Sequence, residues 1–117
     1  MQMKEEKIGD VVVLSLKGNL MGDPETSELR EKIYSCIGRD DVKIVLDLGK
    51  IKWMNSSGLG ALISSLTSVK NKGGEIRLAN ITEKVQSLFM ITQLVRVFKS
   101  YDSVKEAVDS FKTEPVS

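Results

Sequence analysis

Two adjacent serines are the strongest candidates for a functional site in this sequence. Ser56 and Ser57 stand in the segment KWMNSSGLGALISSL, residues 52–66, and Gly58 and Gly60 follow them. A cluster of this kind, between an apolar strand and an apolar helix, could supply a nucleophile, cradle a phosphate, cap the helix or accept a phosphate group. These four alternatives require different neighbours.

A serine nucleophile requires a G-x-S-x-G elbow and a general base. Met54 stands where the first glycine would be for Ser56, and Ser57 has no glycine at the required flanking positions. The chain contains no histidine, so it lacks the usual base and the commonest zinc ligand. These absences disfavour a serine hydrolase and a transition-metal site.

Carboxylates are the remaining candidates for catalysis, at Asp23, Glu25 and Asp47. Asp47 lies within VLDLG and is better explained as a partly exposed strand carboxylate. The single Cys36 lies among apolar helix positions and is interpreted as a small core residue. Trp53 and Met54 are interpreted as packing at a strand end rather than as a cofactor box. We therefore expect no enzymatic activity, no cofactor and no metal.

A nucleotide or phosphate cradle receives weak support. The segment GLGALI begins as G-x-G but lacks the third glycine, and Ala79 and Asn80 stand where an acidic residue would end the next strand. No Walker A motif is present.

Helix capping explains only part of the cluster. Asn55, Ser56 and Ser57 are all good N-cap residues. Gly58 and Gly60 each cost about 0.5–1 kcal/mol relative to alanine inside a helix, so capping gives them no purpose. Glycine leaves the backbone uncovered, which would let a partner approach closely.

A phosphate acceptor on an exposed docking surface accounts for the serines and the glycines together. Phosphoserine adds about −1.5 to −2 charges, which the positive end of the helix dipole tolerates. A partner packed over Gly58 and Leu59 would have to desolvate that dianion. The pattern thus indicates a switch that acts on binding rather than on folding.

Length and composition set the broad class. The 117 residues carry a net charge of +1 and are 41% hydrophobic, which predicts one globular domain without an electrostatic reason to bind nucleic acid or membrane. The longest apolar runs are too short to span a bilayer, and MQMKEEKIGD lacks the apolar core of a signal peptide. We expect a cytoplasmic monomer, with a domain over 1–113 and a flexible tail over 114–117.

Alternating strands and helices predict an α/β fold. An N-terminal hairpin followed by parallel crossovers gives a mixed central sheet of about five strands with about four helices. The predicted strands are 3–7, 11–16, 42–48, 75–81 and 95–100. The predicted helices run from Asp23-Pro24-Glu25 to Gly38, from about Ser57 to Lys72, from the Thr82 cap, and from Asp102 or Ser103. The serines then lie at the carboxyl end of a central strand, where open α/β sheets bind ligands.

Residues 45–98 resemble the STAS domain of bacterial anti-sigma factor antagonists. The family pattern is a hydrophobic strand, then aromatic-Met-Asp-Ser-Ser/Thr-Gly-Leu-Gly, a helix, Gly-Gly, a strand and a short helix ending in Phe. The resemblance extends over residues 3–113, and its specific part is the serine segment.

The resemblance implies a role in a partner-switching pathway that regulates transcription. Such proteins bind an anti-sigma factor that is a serine kinase, and so free a sigma factor. The kinase would phosphorylate Ser56, with Ser57 as the alternative, and a PP2C-like phosphatase would reverse the modification. The implied partner-binding residues are Met21, Gly22, Asp23, Asn55, Ser56, Ser57, Gly58 and Leu59.

The chain departs from the family pattern at two places. Asn55 replaces the usual Asp before the acceptor serine, and Gly18-Asn19-Leu20-Met21 replaces Gly-Glu-Leu-Asp. Both changes remove a negative charge, and Asp23 is the nearest carboxylate that could replace it. The alternative interpretation is therefore a constitutive STAS interaction module, or a small-molecule or nucleotide sensor, without a phosphorylation switch.

Overall fold

Five strands and four α-helices build the domain in a computed structural model, which describes residues 1–116 apart from the side chain of Val95. The elements in chain order are β1 (Gln2–Ile8), β2 (Val11–Leu20), α1 (Glu25–Gly38), β3 (Lys43–Met54), α2 (Ser56–Lys70), β4 (Glu75–Ala79), α3 (Glu83–Ile91), a 3₁₀ helix (Leu94–Arg96), β5 (Ser100–Tyr101) and α4 (Val104–Thr113).

The sheet is mixed and its strand order follows the chain. β1 pairs antiparallel with β2 through a tight turn, in which Gly9 takes the left-handed conformation with φ of 62°. The pairs β2–β3, β3–β4 and β4–β5 are all parallel, and helices form the crossovers between them. The predicted α/β architecture, with an N-terminal hairpin followed by parallel crossovers, is confirmed.

Period-2 alternation on the central strands divides the core between the two faces of the sheet. Val12 and Leu14 of β2 belong to the larger cluster, which packs against α1, α2 and α3. Val11 and Val13 point the other way and pack against α4. β3 is buried on both faces over Ile44–Leu46, as its nearly continuous apolar run predicts.

A buried arginine attaches α4 to the second face. The Arg77 side chain is completely buried and forms an ion pair with Glu75. Its guanidinium donates hydrogen bonds to Ser110 Oγ at 2.8 Å and to the Glu114 carbonyl, and lies 4.2 Å from the ring centroid of Phe111. These contacts satisfy a charge that would otherwise be costly to bury.

The predicted tail contacts the domain at two residues. The Glu114 carbonyl accepts the hydrogen bond from Arg77, and Val116 packs against the α4 cluster. Ser117 lies outside the described residues, and flexibility of the tail stays a prediction.

The central strands extend past the rest of the sheet. β2 has ten residues and β3 has twelve, whereas β4 has five and β5 has two. Because β4 pairs only with Lys43–Asp47, the remainder of β3 has β2 as its sole strand neighbour among the described residues. The serine segment lies at the tip of this two-stranded projection.

The predicted fifth strand is largely wrong, and several other bounds are shifted: β2 and β3 extend to Leu20 and Met54 rather than to 16 and 48. Residues 95–99 do not form a strand, because Gln93 takes a left-handed φ of 62° and the chain continues as a 3₁₀ turn. β5 is limited to Ser100–Tyr101, while Phe98 is buried with its ring centroid 5.9 Å from that of Phe89. The second helix spans 56–70 rather than 57–72, because the chain turns at 71–73.

Candidate functional site

Asn55 holds the serine loop, residues 55–59, against the loop that follows β2. It is the N-cap of α2, and its Oδ1 accepts a hydrogen bond from the Gly58 amide at 3.1 Å. Its Nδ2 donates to the Met21 carbonyl at 2.8 Å. The two segments predicted to bind a partner are therefore joined by a single side chain.

Both serines are exposed in the first turn of α2. Neither the Ser56 nor the Ser57 hydroxyl makes a hydrogen bond to another part of residues 1–116. The first turn of α2 contains no acidic residue, so no carboxylate compensates the positive end of its dipole. A phosphate on either hydroxyl would be stabilised by the positive end of the α2 dipole and would remain hydrated.

Gly58 serves the packing of the chain itself. A Cβ at this position would lie 2.0 Å from the Leu20 carbonyl oxygen, so only glycine allows β2 and α2 to approach this closely. Gly58 is buried, and Leu59 is only 4% exposed. A partner that packs over Gly58 and Leu59 would therefore contact mainly the residues around them, and that contact stays a prediction. Gly60, by contrast, faces open space.

The loop after β2 presents one apolar side chain and one carboxylate. Met21 is 47% exposed, and Asp23 is exposed beside it. Asp23 Oδ1 accepts hydrogen bonds from Ser27 and from Thr26 Oγ1, and these bonds hold the pKa of the Asp23 carboxyl below its usual value. The predicted helix start is shifted by one residue: Pro24 is the N-cap rather than the first helical residue, although Asp23 Oδ1 still accepts a hydrogen bond from the Ser27 amide at 3.2 Å.

The other residues considered for catalysis, at positions 25, 36 and 47, are buried or partly exposed. Asp47 accepts hydrogen bonds from the Gly49 amide at 3.0 Å and from Asn80 Nδ2 at 3.1 Å, and is partly exposed, as predicted. Cys36 is buried in the core, which raises the pKa of its thiol. Glu25 is partly exposed in the first turn of α1. Within residues 1–116, no three possible metal ligands lie together.

Trp53 departs from its prediction. Its side chain is 53% exposed rather than packed at the strand end, and the Lys84 ammonium lies 3.8 Å from the centroid of its ring. The indole borders an open cleft between the projecting strands and the start of α3. We call this feature the lysine cleft; its side chains include Lys17, Lys50, Lys52, Trp53, Glu83 and Lys84.

Sequence reasoning missed the lysine cleft because its members come from three separate elements. One signal was present, since Lys50 and Lys52 alternate with the buried Ile51 on β3. Such alternation indicates that two cations share one face of a strand.

No helix in the described part of the chain combines the length and the apolar character needed to cross a bilayer.

The family model of the STAS domain matches residues 2–107. The chain belongs to the STAS domain family. Its relatives include the anti-sigma F factor antagonist of Paenibacillus polymyxa, which is 29% identical over 110 residues and covers 92% of each chain. A shorter match to the anti-sigma-B factor antagonist of Bacillus subtilis is 33% identical over 66 residues, 56% of this chain and 60% of that protein.

Solved structures confirm that this STAS domain has the family fold. The NMR structure of the protein TM1081 of Thermotoga maritima superimposes with a TM-score of 0.86 at 24% identity, over 97% of this chain and 91% of that one. The Bacillus cell fate determinant SpoIIAA in its phosphorylated form superimposes with a TM-score of 0.72 at 22% identity, over 92% and 97% of the two chains.

Proposed function

We propose that this STAS domain is an anti-sigma factor antagonist that is switched off by phosphorylation of Ser56. In its unmodified form it binds an anti-sigma factor with serine kinase activity and thereby frees a sigma factor. The observation that carries this proposal is the exposed Ser56 hydroxyl at the start of α2, on a loop that Asn55 joins to Met21. The names of the relatives support the antagonist role.

The local geometry supports a switch that acts on binding. Ser56 is exposed and its hydroxyl supports no other part of the described chain, so a phosphate there displaces no internal contact. The first turn of α2 favours an anion because no acidic residue lies in it. A partner seated on this surface would instead have to desolvate a charge of about −1.5 to −2.

The proposed docking surface consists of exposed and partly exposed residues on both loops. Its members are Met21, Gly22, Asp23, Asn55, Ser56 and Ser57. Gly58 and Leu59 are buried beneath it and fix the position of the loop. Met21 is the apolar anchor, since its exposed thioether adapts readily to a partner surface.

The rest of the pathway follows from the same proposal. A PP2C-like phosphatase removes the phosphate and restores binding, and the domain acts as a cytoplasmic monomer that regulates transcription in bacteria. The domain itself is not an enzyme, because the serine loop offers no general base beside the serines.

A second candidate is a constitutive module, and Asn55 is the observation that favours it. The carboxamide joins the two loops through one donated and one accepted hydrogen bond, without a charge beside Ser56. If a kinase requires a carboxylate at this position, the loop would bind its partner permanently, or the domain would respond to a small molecule or nucleotide instead.

Phosphosite mass spectrometry on the protein from its native cells tests the proposal. Fragmentation must separate Ser56 from Ser57, and the cells should be sampled in growth and under stress. We expect phosphate on Ser56 in an amount that changes with condition. A peptide that stays unmodified under every condition would instead favour the constitutive module.

Binding measurements with candidate anti-sigma kinases from the same genome complete the test. Ser56→Ala should retain binding, Ser56→Asp should weaken it, and Ser57→Ala is the matched control. Equal binding by all the variants would refute the switch.

A further inference from the structure

Helix α4 covers only half of the second face of the sheet. It packs on the first residues of β2 and β3, at Val11, Val13 and Val45. Both strands continue well past this contact, to Leu20 and Met54. Among the described residues no helix covers this continuation, where Lys17, Lys50 and Lys52 are exposed and Asp47 is partly exposed.

Positive charge is concentrated in the lysine cleft, although the whole chain is nearly neutral. None of Lys17, Lys50, Lys52 and Lys84 forms an ion pair with another described residue, and Glu83 is the one acidic residue among those described that lines the cleft. Lys17 and Lys50 are register partners on adjacent strands, an arrangement in which like charges repel. A ligand with negative charge would relieve that repulsion.

Trp53 supplies an apolar anchor within the same cleft. Its indole is about half exposed, and the Lys84 ammonium lies over the ring. Half-exposed tryptophans beside cationic groups are typical of protein interaction sites, where the ring contributes contact area and the cations select charge.

The backbone of β3 is also available along this cleft. Pairing with β4 ends at Asp47, so residues 48–54 have an unpaired edge on that side. An extended peptide can add to such an edge through main-chain hydrogen bonds, while alternate side chains enter neighbouring pockets.

We propose that the lysine cleft docks an acidic, extended segment of a partner protein, with an apolar side chain of that segment seated on Trp53. Carboxylates of the segment would pair with Lys17, Lys50 and Lys52. None of the residues at the proposed phosphorylation site lines the cleft, although Trp53 stands three residues before Ser56 in the chain. The cleft would therefore provide a second point of attachment whose lysines and indole lie outside the serine loop.

Selection of peptides on the full chain tests the proposal even while the partner is unidentified. A phage library of random peptides is selected on the immobilised protein, and enriched peptides are titrated while the emission of Trp53, the single tryptophan of the chain, is recorded. We expect the enriched peptides to combine acidic and apolar residues and to change the Trp53 emission saturably. Added salt should weaken the binding of these peptides. The bound peptides should also slow amide hydrogen exchange at residues 48–54.

The double variant K50Q/K52Q should raise the dissociation constant of the same peptides by about fivefold, because exposed ion pairs of this kind each contribute only modestly to affinity. The matched control is K70Q/K72Q, which removes two exposed lysines at the end of α2, outside the cleft. Enriched peptides without an acidic excess, or equal binding by K50Q/K52Q and wild type, would overturn the proposal.

A single-stranded DNA oligomer and phosphatidylglycerol vesicles are titrated in parallel. If either matches the peptides in affinity through the same lysines, the cleft is a general polyanion surface and the proposal of a protein partner fails. Each of these outcomes leaves Ser56 phosphorylation to be judged by its own measurement.

Discussion

The Asn55 side chain donates a hydrogen bond to the Met21 carbonyl at 2.8 Å and so joins the loops that follow two neighbouring strands. An aspartate, which the family pattern has at this position, would be ionised at neutral pH and could accept but not donate. The carboxamide is therefore suited to a contact that the family's usual residue cannot make.

Two substitutions of Asn55 distinguish the hydrogen bond that it accepts from the one that it donates. Asn55→Asp should keep the cap, because a carboxylate still accepts from the Gly58 amide, yet it places a negative charge against the Met21 carbonyl. We expect little loss of stability and faster amide exchange at 21–23. Asn55→Ala loses both contacts and should lower the free energy of unfolding by about 1 kcal/mol.

Amide hydrogen exchange measured by mass spectrometry, together with urea unfolding, distinguishes Asn55→Asp from Asn55→Ala. Asn71→Asp, at an exposed position after α2, is the matched control. Unchanged exchange at 21–23 in both Asn55 variants would show that the contact does not order the loop.

Two glycines in the first turns of α2 should respond to alanine in opposite directions. Gly58→Ala forces a methyl group against the Leu20 carbonyl oxygen and should lower the free energy of unfolding by about 1–3 kcal/mol. Gly60→Ala places its methyl in open space and should raise it by about 0.5–1 kcal/mol, since alanine favours the helix. Urea unfolding measures both, and a stable Gly58→Ala protein would contradict the close approach.

Arg77 should be essential for the attachment of α4. Arg77→Met removes the hydrogen bonds to Ser110 and Glu114 and leaves Glu75 without its partner. We expect a loss of about 3 kcal/mol, the size found when one member of a buried pair is removed. Thermal unfolding tests this, with the exposed Arg96→Met as control. Equal unfolding temperatures for the two variants would refute the assignment.

Stability should fall in acid and stay level near neutral pH. Hydrogen bonds from Lys43, Ser27 and Lys7, respectively, are the main causes that lower the pKa values of the Asp10, Asp23 and Asp41 carboxyls. A lowered pKa in the folded state stabilises the protein above the ordinary carboxyl pKa, and this contribution is lost as the pH falls through the lowered value.

The chain has no histidine, so no histidine titrates between about pH 5 and 8. Urea midpoints at pH 7, 5 and 3 check the prediction. They should agree at the first two values and drop at the third, and a midpoint that varies between pH 5 and 7 would contradict it.

The sequence was sufficient for the features that local rules determine. The alternation of strands and helices predicted the mixed sheet, Thr82 was predicted as a cap, and Asn55 and Ser103 were each among the predicted candidates for the caps they form. Side chains of these types bind nearby backbone amides, so their effect is visible within four residues of the chain.

Contacts between distant segments could not be predicted in the same way. The need for glycine at position 58 comes from Leu20 on another strand, and the exposure of Trp53 follows from the early end of β4. The attachment of Arg77 depends on residues more than thirty positions away. Local periodicity contains no information about these distances.

The edges of the sheet have a consequence for self-association. β1 borders the sheet with the exposed residues 4–7, Lys-Glu-Glu-Lys, and β5 offers only two residues at the opposite border. The unpaired stretch of β3 presents lysines that repel the same stretch of another molecule. Charged or very short edges discourage strand pairing between copies, so crowding alone should not convert this protein into aggregates that grow by sheet extension.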